Sequence, residues 1–176
     1  MPVGPFGNLE AFTAWLEGAA RSSDPLFFTI IDNATGTPAG ILSYLRIDPP
    51  NGVIEVGHIW FGPSLQRTRQ ATEAIYLISR DAFARLGNRR LEWKCDALNA
   101  RSQRAARRFG FTFEGIFRQH RVVKGYNRDT AWFAIIDRDW PAIARAYEFW
   151  LADENVDEHG QQRRRLEEIR EEPGNL

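Results

Sequence analysis

An apolar, β-rich segment of the chain leads directly into a polar, cationic turn and then into an amphipathic helix. The segment is Val53–Phe61, it ends at Gly62-Pro63, and the apolar positions of the helix recur from Ala71 to Ala82 at helical spacing. In this order of elements, free backbone N–H groups and the positive end of a helix lie beside the end of a strand. The pattern therefore predicts a binding site for a phosphate-like anion at the turn.

The turn carries neither of the common phosphate-binding signatures. A P-loop requires Gly-Lys followed by Ser or Thr, and a dinucleotide-binding loop requires three spaced glycines. The turn instead reads Gln66-Arg67-Thr68-Arg69-Gln70-Ala71. It could also be a plain first helical turn with solvated arginines, so other segments must decide between the two interpretations.

The elements that would position this turn predict an α+β fold with one mixed, mostly antiparallel sheet flanked by helices. Hydrophobic periodicity, caps and turn residues give the order α-βββ-α-β-α-ββ-α, with the first three strands as an antiparallel meander. The predicted elements lie at residues 8–20, 26–31, 40–47, 53–61, 71–82, 90–95, 99–109, 111–123, 130–137 and 141–151.

The length of 176 residues and the absence of repeats or linkers predict one domain, which we place at residues 1–152. Residues 153–176 are highly charged, and their spaced apolar positions are Leu166 and Ile169. For this stretch we predict a charged, solvated helix with a loose end.

Composition narrows the class of protein. Hydrophobic residues make up 43% of the chain and aromatic residues 12%, which predicts a packed core rather than disorder. Lys+Arg and Asp+Glu number 23 each, which argues against a dedicated nucleic-acid binder. The single Cys95 suits a reducing compartment. Because no apolar run approaches the ~20 residues of a membrane span and the start lacks a signal-peptide layout, we expect a cytoplasmic protein.

Four segments resemble, in their order, the GCN5-related N-acetyltransferases (GNAT). They are Gly57–Pro63, the Gln66–Ala71 turn, the pair Asn99 and Ser102 that follows Asp96, and Gly110-Phe111 with Glu114-Gly115. The segments look most like the RimJ/RimL-type branch, which acetylates protein N-termini and small amines. The resemblance covers most of the chain and implies a single GNAT-type domain that uses acetyl-CoA as acetyl donor.

The resemblance also implies where the coenzyme binds. Backbone groups of the third strand would hold pantetheine, those of the turn would hold the pyrophosphate, and Asn99 would bind the pantetheine arm. The implied coenzyme-binding residues are Ile59, Trp60, Phe61, Gln66, Arg67, Thr68, Arg69, Gln70, Ala71, Thr72 and Asn99. Arg69 stands where the family has a glycine, and it can serve there if its backbone is ordinary and its side chain points away or toward a phosphate.

Acetyl transfer to an amine needs a base for the ammonium group and an acid for the departing thiolate. The resemblance gives the second role to Ser102, the alternative being that Asn99 and Ser102 only cap a helix. Glu55, His58 or a water molecule could supply the base. In a regular strand, residues 55 and 58 face opposite sides, so only one would face a cleft unless a bulge intervenes. Cys95 lacks a suitably spaced basic neighbour, which argues against a covalent intermediate on its thiol.

A set of cations follows these motifs, and it suggests either solvated faces or contacts with a coenzyme phosphate or an acidic acceptor. Its members are Arg101, Arg104, Arg107, Arg108, Arg118, Arg121, Lys124 and Arg128.

We therefore predict direct acetyl transfer, in a ternary complex, from acetyl-CoA to a small amine or a protein N-terminus. The family normally has a further strand and helix before the first predicted helix, and this chain lacks room for them. Either the start is truncated, or another chain covers the exposed sheet edge. We accordingly expect a homodimer that contacts through the N-terminal edge or the C-terminal helix. The alternatives are a non-catalytic coenzyme-binding or regulatory module with this fold, and a ribosome- or RNA-associated factor.

Overall fold

The computed structural model describes residues 3–172 as a six-stranded mixed sheet with helices packed against it, which confirms the predicted α+β class. The helices are α1 (Leu9–Arg21), α2 (Arg69–Arg80), α3 (Ala100–Arg108), α4 (Trp140–Leu151) and α5 (Leu166–Glu171). The strands are β1 (Leu26–Asp32), β2 (Thr37–Asp48), β3 (Val53–Phe61), β4 (Arg90–Asp96), β5 (Thr112–Val123) and β6 (Tyr126–Ile136).

The sheet has the strand order β1-β2-β3-β4-β6-β5, and every neighbouring pair is antiparallel except β3 and β4. The meander β1-β2-β3 predicted from the sequence is confirmed. The parallel pairing of β3 with β4 covers only three residue pairs, Val53–Glu55 against Arg90–Glu92. Beyond them the two strands separate, and both line the opening that results.

The hydrophobic core lies between one face of the sheet and the helices α2 and α4. The helical stripe predicted for α2 is buried at Ile75 and Ile78, and Tyr147 of α4 is fully buried in the same cluster. Leu91 and Phe133 supply the sheet side of this core. Because the buried face of α2 packs on the sheet and on α4, the N-terminal turn of α2 is fixed beside the end of β3.

Three strands carry a β-bulge on the side of the opening, and each bulge has a non-glycine residue with positive φ at or beside it. These residues are Arg46 in β2 (φ 49°), His58 in β3 (φ 48°) and Gln119 in β5 (φ 50°). The carboxylate of Asp24 accepts hydrogen bonds from the N–H groups of Arg46 and Ile47, at 2.9 and 3.1 Å, and so holds the first bulge. Such conformations are strained and persist only where the surroundings enforce them.

The prediction of a solvated C-terminal helix is wrong for the part of this stretch that the structure describes. Leu166 and Ile169 of α5 are fully buried in the main core. The buried Asn155 holds the turn that brings α5 back to the core. Its side chain donates to Trp150 O at 3.1 Å and accepts from the N–H of Arg164 at 3.0 Å. The end of the predicted tail, residues 173–176, lies outside the described residues.

Helix α1 contributes no buried residue, and apolar side chains on it and on β1 stay exposed, among them Leu9, Leu16 and Ile31. The aromatic rings of Trp15 and Phe27 make an edge contact that attaches the helix to the sheet. In the described part of the chain, no helix has the length and apolar character needed to cross a membrane.

Candidate active site

The separation of β3 from β4 creates two clefts that meet between the strands. The α2 cleft, of about 1090 Å³, lies beside the N-terminal turn of α2 and is closed by α3 and the chain after α4. The hairpin cleft, of about 380 Å³, lies beside β2 and the β5–β6 hairpin. Four residues line both clefts, namely Ile59, Trp93, Asn99 and Ser102.

The N-terminal turn of α2 presents donors to the α2 cleft. Thr68 caps the helix by accepting from the N–H of Ala71 at 3.1 Å, and Arg67 has a left-handed backbone with φ 64°. Within residues 3–172, the N–H groups of Arg67, Arg69 and Gln70 have no hydrogen-bond acceptor in the protein. Unpaired N–H groups at the positive end of a helix form an anion site.

Arg69, which replaces the expected glycine, does not obstruct this turn. It is the first residue of α2, so its backbone is helical, and its guanidinium turns away to the end of α4. There it donates to Leu151 O and to the carboxylate of Asp153. The side chain therefore ties the turn to the chain after α4 and leaves the backbone N–H groups accessible.

Most of the residues predicted to bind a coenzyme line the α2 cleft, and two do not. Trp60 is 52% exposed, and neither it nor Gln70 lines either cleft. The predicted residues that do line the α2 cleft are Ile59, Phe61, Gln66, Arg67, Thr68, Arg69, Ala71, Thr72 and Asn99.

Two arginines from the cationic set also line the α2 cleft. Arg101 is exposed on α3. Arg108 donates to Thr72 Oγ1 at 3.1 Å, and its guanidinium lies 5.0 Å from the ring centre of Trp150. The cleft thus combines a helix N-terminus with two further cations.

Ser102 lies where the two clefts meet, and the structure separates its side chain from the helix cap. Asn99 caps α3 by accepting from the backbone N–H of Ser102 at 3.0 Å. The hydroxyl oxygen of Ser102 accepts instead from the indole N–H of Trp93, also at 3.0 Å. The hydroxyl hydrogen takes no part in that bond and remains available as a donor to a group beside it, Cys95 included.

Glu55 is 4% exposed and sits between two cations. Its carboxylate lies 2.5 Å from Arg46 Nη1 and 2.9 Å from Lys94 Nζ. Lys94 also contacts Glu92 at 2.6 Å and stacks over the ring of Trp132. The Glu55 carboxylate is therefore already engaged as the partner of two cations.

His58 lines the hairpin cleft together with Glu55, because the bulge in β3 breaks the alternation expected for residues 55 and 58. Its Nδ1 is 2.9 Å from Ser43 Oγ, and that hydroxyl is 3.3 Å from Gly57 O. If Nδ1–H donates to Ser43 and Ser43 donates to Gly57, the Nε2 lone pair remains available. Burial lowers the pKa of His58, and the neighbouring Glu55 opposes that shift.

Cys95 is buried at the edge of the hairpin cleft, and burial raises the pKa of its thiol. A raised thiol pKa reduces the thiolate fraction at neutral pH, which leaves Cys95 poorly suited to act as a nucleophile.

Several residues of the site were not identified from the sequence. Ser43, Arg46 and Lys94 surround the two base candidates, and Trp93 orients Ser102. The alternation of a strand predicts which face a residue takes only where pairing is regular. Bulges in β2 and β3 change that alternation, so no sequence pattern brings these residues together.

Two clefts that meet at one hydroxyl have room for a reaction between two substrates. The model of the family described as acetyltransferase (GNAT) domain matches residues 3–112 of the chain. The chain therefore belongs to the GNAT family and is an N-acetyltransferase.

Solved structures agree with this assignment. A GCN5-related N-acetyltransferase from Brucella melitensis is 53% identical, with a TM-score of 0.94 over 97% of this chain and 77% of that chain. A GNAT-family protein from Chromobacterium violaceum is 45% identical, with a TM-score of 0.76 over 80% of this chain and 71% of that chain. No curated protein matches the chain.

Proposed function

We propose that the protein moves an acetyl group directly from acetyl-CoA in the α2 cleft to a primary amine in the hairpin cleft. The observation that carries this proposal is the junction of the two clefts at Ile59, Trp93, Asn99 and Ser102. An amine that enters from one side can there reach a carbonyl carbon held from the other. Such positioning is itself a large part of catalysis for a reaction of two substrates.

The α2 cleft suits the coenzyme in shape and charge. The unpaired N–H groups at Arg67 and Arg69, two residues that line the α2 cleft, fit a pyrophosphate. Arg101 and Arg108 fit a further phosphate. The separated end of β3 offers backbone groups to the amides of a pantetheine arm, as the resemblance implies.

His58 is the better candidate for the base, and Ser102 for the acid. In its neutral form, His58 accepts a proton from the acceptor's ammonium group through Nε2. The amine nitrogen then forms a bond to the acetyl carbon as the bond from that carbon to sulfur breaks. The Ser102 hydroxyl donates its proton to the departing thiolate, and the second proton that the amine nitrogen must lose replaces it, directly or through water. His58 then releases its proton to solvent. Glu55 keeps the positive charge of Arg46 and Lys94 compensated beside this path.

The acceptor is a small amine or a protein N-terminus, as in the RimJ/RimL-type branch. The motifs at Asn99, Ser102 and Gly110–Gly115 support this branch, and the single buried Cys95 supports a cytoplasmic location. A homodimer through α1 and β1 also belongs to the proposal, because the apolar side chains Leu9, Leu16 and Ile31 are exposed there.

Calorimetry with acetyl-CoA, followed by a thiol-release assay over a panel of amines, tests the proposal. Arg67→Glu should weaken acetyl-CoA binding about tenfold or more, since a charge-assisted contact is worth roughly 1.5–3 kcal/mol. The matched control is Arg145→Glu, an exposed position of α4 outside both clefts. Absence of binding at millimolar acetyl-CoA, or equal effects of the two substitutions, would contradict the coenzyme site.

A further inference from the structure

The hairpin cleft has more positive than negative charge. Its charged residues are Arg46, Lys94, Arg121 and Arg128 against Glu55 and Asp96. Glu55 is already paired with two of the cations, and Asp96 accepts a hydrogen bond from the N–H of Leu98 at 2.8 Å. Arg121 and Arg128 of the β5–β6 hairpin therefore have no carboxylate partner among the residues that line the cleft.

Arg121 of β5 and Arg128 of β6 lie directly opposite each other in the antiparallel register. Like charges in opposed positions destabilise a sheet. Within residues 3–172, neither guanidinium forms an ion pair with a carboxylate. The adjacent acid, Asp129, is directed elsewhere, since it accepts from the N–H of Gln119 at 2.7 Å and from Asn127 Nδ2 at 3.0 Å.

Arg128 has an unsatisfied donor at the cleft. Its Nε is buried and has no hydrogen-bond partner in the described residues. A buried N–H without an acceptor costs roughly 1–3 kcal/mol, and more when it is charged. A buried donor of this kind calls for an explanation, and a bound anionic group beside the guanidinium can supply one.

The bulge in β5 brings His120 next to the same two arginines. Its Nδ1 lies 3.0 Å from Thr130 Oγ1, and the residue lines the hairpin cleft. Burial lowers the pKa of His120, and the positive charges of Arg121, Arg128, Arg46 and Lys94 lower it further. The electrostatic potential at the His120 imidazole, on this side of the cleft, is therefore positive.

We infer that Arg121 and Arg128 bind an anionic group of the acceptor, so that the substrate is a small amine that also carries a carboxylate or a phosphate. This inference rests on the proposed function, because it assigns the hairpin cleft to the acceptor. Paired guanidinium groups suit carboxylate and phosphate through their planar arrays of donors. A cleft of about 380 Å³ is at the small end for ligand sites, which favours a small molecule over a long peptide. A polyamine would meet repulsion here.

Pairs of acceptors that share the same amine, with and without an anionic group, provide the test. We would compare ethanolamine with O-phosphoethanolamine and β-alaninamide with β-alanine, and include spermidine and an acidic-first-residue peptide. The anionic member of each pair should have a kcat/KM at least about tenfold higher, which corresponds to one good charged contact. Equal kcat/KM within the pairs, or preference for spermidine or the peptide, would overturn the inference.

Substitutions of single arginines test whether the preference for anionic amines depends on Arg121 and Arg128. Arg121→Gln and Arg128→Gln should each lower kcat/KM for the anionic amines about tenfold or more, and change it less than about threefold for the neutral ones. Arg118→Gln, on the same hairpin but outside the cleft, is the matched control and should change neither. Arg121 is exposed, so its variant keeps the test valid if Arg128→Gln lowers stability. A uniform loss over the whole panel would contradict anion binding.

Binding without turnover separates this inference from the proposed function. Calorimetry of the same amines with the protein saturated by coenzyme A should show tighter binding of the anionic members, lost in Arg128→Gln. That result without acetyl transfer to any amine would support the arginine pair and refute the proposed reaction. Equal binding of charged and neutral members would refute the arginine pair whether or not acetyl transfer occurs.

Discussion

At the scale of single residues, the two candidate bases differ in what surrounds them. Glu55 is buried between Arg46 and Lys94, whereas His58 lines the cleft and has a hydroxyl beside its Nδ1. A base must lose its proton at the working pH and be able to accept one during the reaction. The imidazole fulfils both conditions, because burial lowers its pKa and so favours the neutral form.

The pH dependence of kcat/KM should distinguish the two. Since the pKa of His58 lies below its ordinary value, activity should hold as the pH falls to about 6.5 and decline only below it, as His58 gains a proton. His58→Gln should lower kcat/KM roughly 10²–10⁴-fold and remove this acidic limb. Glu55→Gln should retain the limb, whatever its effect on the absolute rate. An acidic limb that persists in His58→Gln would assign it to another group.

Ser102 offers a second test, because its side chain does not take part in the helix cap. Ser102→Ala should lower kcat roughly 10–10³-fold and leave acetyl-CoA affinity nearly unchanged. It should also lower the melting temperature somewhat, because the buried indole N–H of Trp93 loses its acceptor. Trp93→Phe removes the N–H that orients the hydroxyl and should lower kcat by less. Ser102→Thr keeps a hydroxyl and serves as the control. Loss of stability with an unchanged chemical step would show that Ser102 is only structural.

At the scale of elements, the prediction from the sequence was wrong for α5, which is packed on the core and not solvated. Leu166→Ala should lower the free energy of unfolding by roughly 2–5 kcal/mol, since it opens a cavity in the main core. The matched control is Leu98→Ala, at a position that is 92% exposed, where we expect a change within about 0.5 kcal/mol. Urea denaturation of both variants measures the difference. Equal stability would mean that α5 does not belong to the core.

Periodicity predicted the elements well where each one buries a regular stripe or alternates along a paired strand. Helix α2 and the meander β1-β2-β3 are examples. The error in α5 arose because six residues with two apolar positions give no periodic signal, and only the turn held by Asn155 places them on α4. Which residues line the α2 cleft was largely predictable, because its donors are backbone groups that follow one another in sequence. Which residues line the hairpin cleft was not, since bulges at Arg46, His58 and Gln119 decide which side chains meet.

At the scale of the whole molecule, the exposed apolar surface of α1 and β1 predicts a homodimer. Light scattering at micromolar concentration should give twice the mass of one chain, and a stable interface should bury at least ~1,000 Å². The double variant Leu9→Glu and Leu16→Glu should be monomeric, whereas Leu98→Glu should remain a dimer. A monomer for the unaltered protein would refute the assembly. The alternative contact through α5 has lost its basis, since Leu166 and Ile169 face the core of their own chain.

The brief pairing of β3 with β4 divides the sheet into two leaves, β1-β2-β3 and β4-β6-β5. The leaves are joined by three residue pairs, by hydrogen bonds from the N–H groups of Arg89 and Arg90 to Gly52 O, and by the ion pair of Glu55 with Lys94. A ligand that binds backbone groups of both strands in the opening adds a hydrogen-bonded connection between the two leaves. Hydrogen exchange of main-chain amides in residues 56–61 should then slow on binding, while that of Val53–Glu55 stays slow throughout. In each catalytic cycle, the contact between the two leaves would thus become more rigid when substrate binds and more flexible when product leaves.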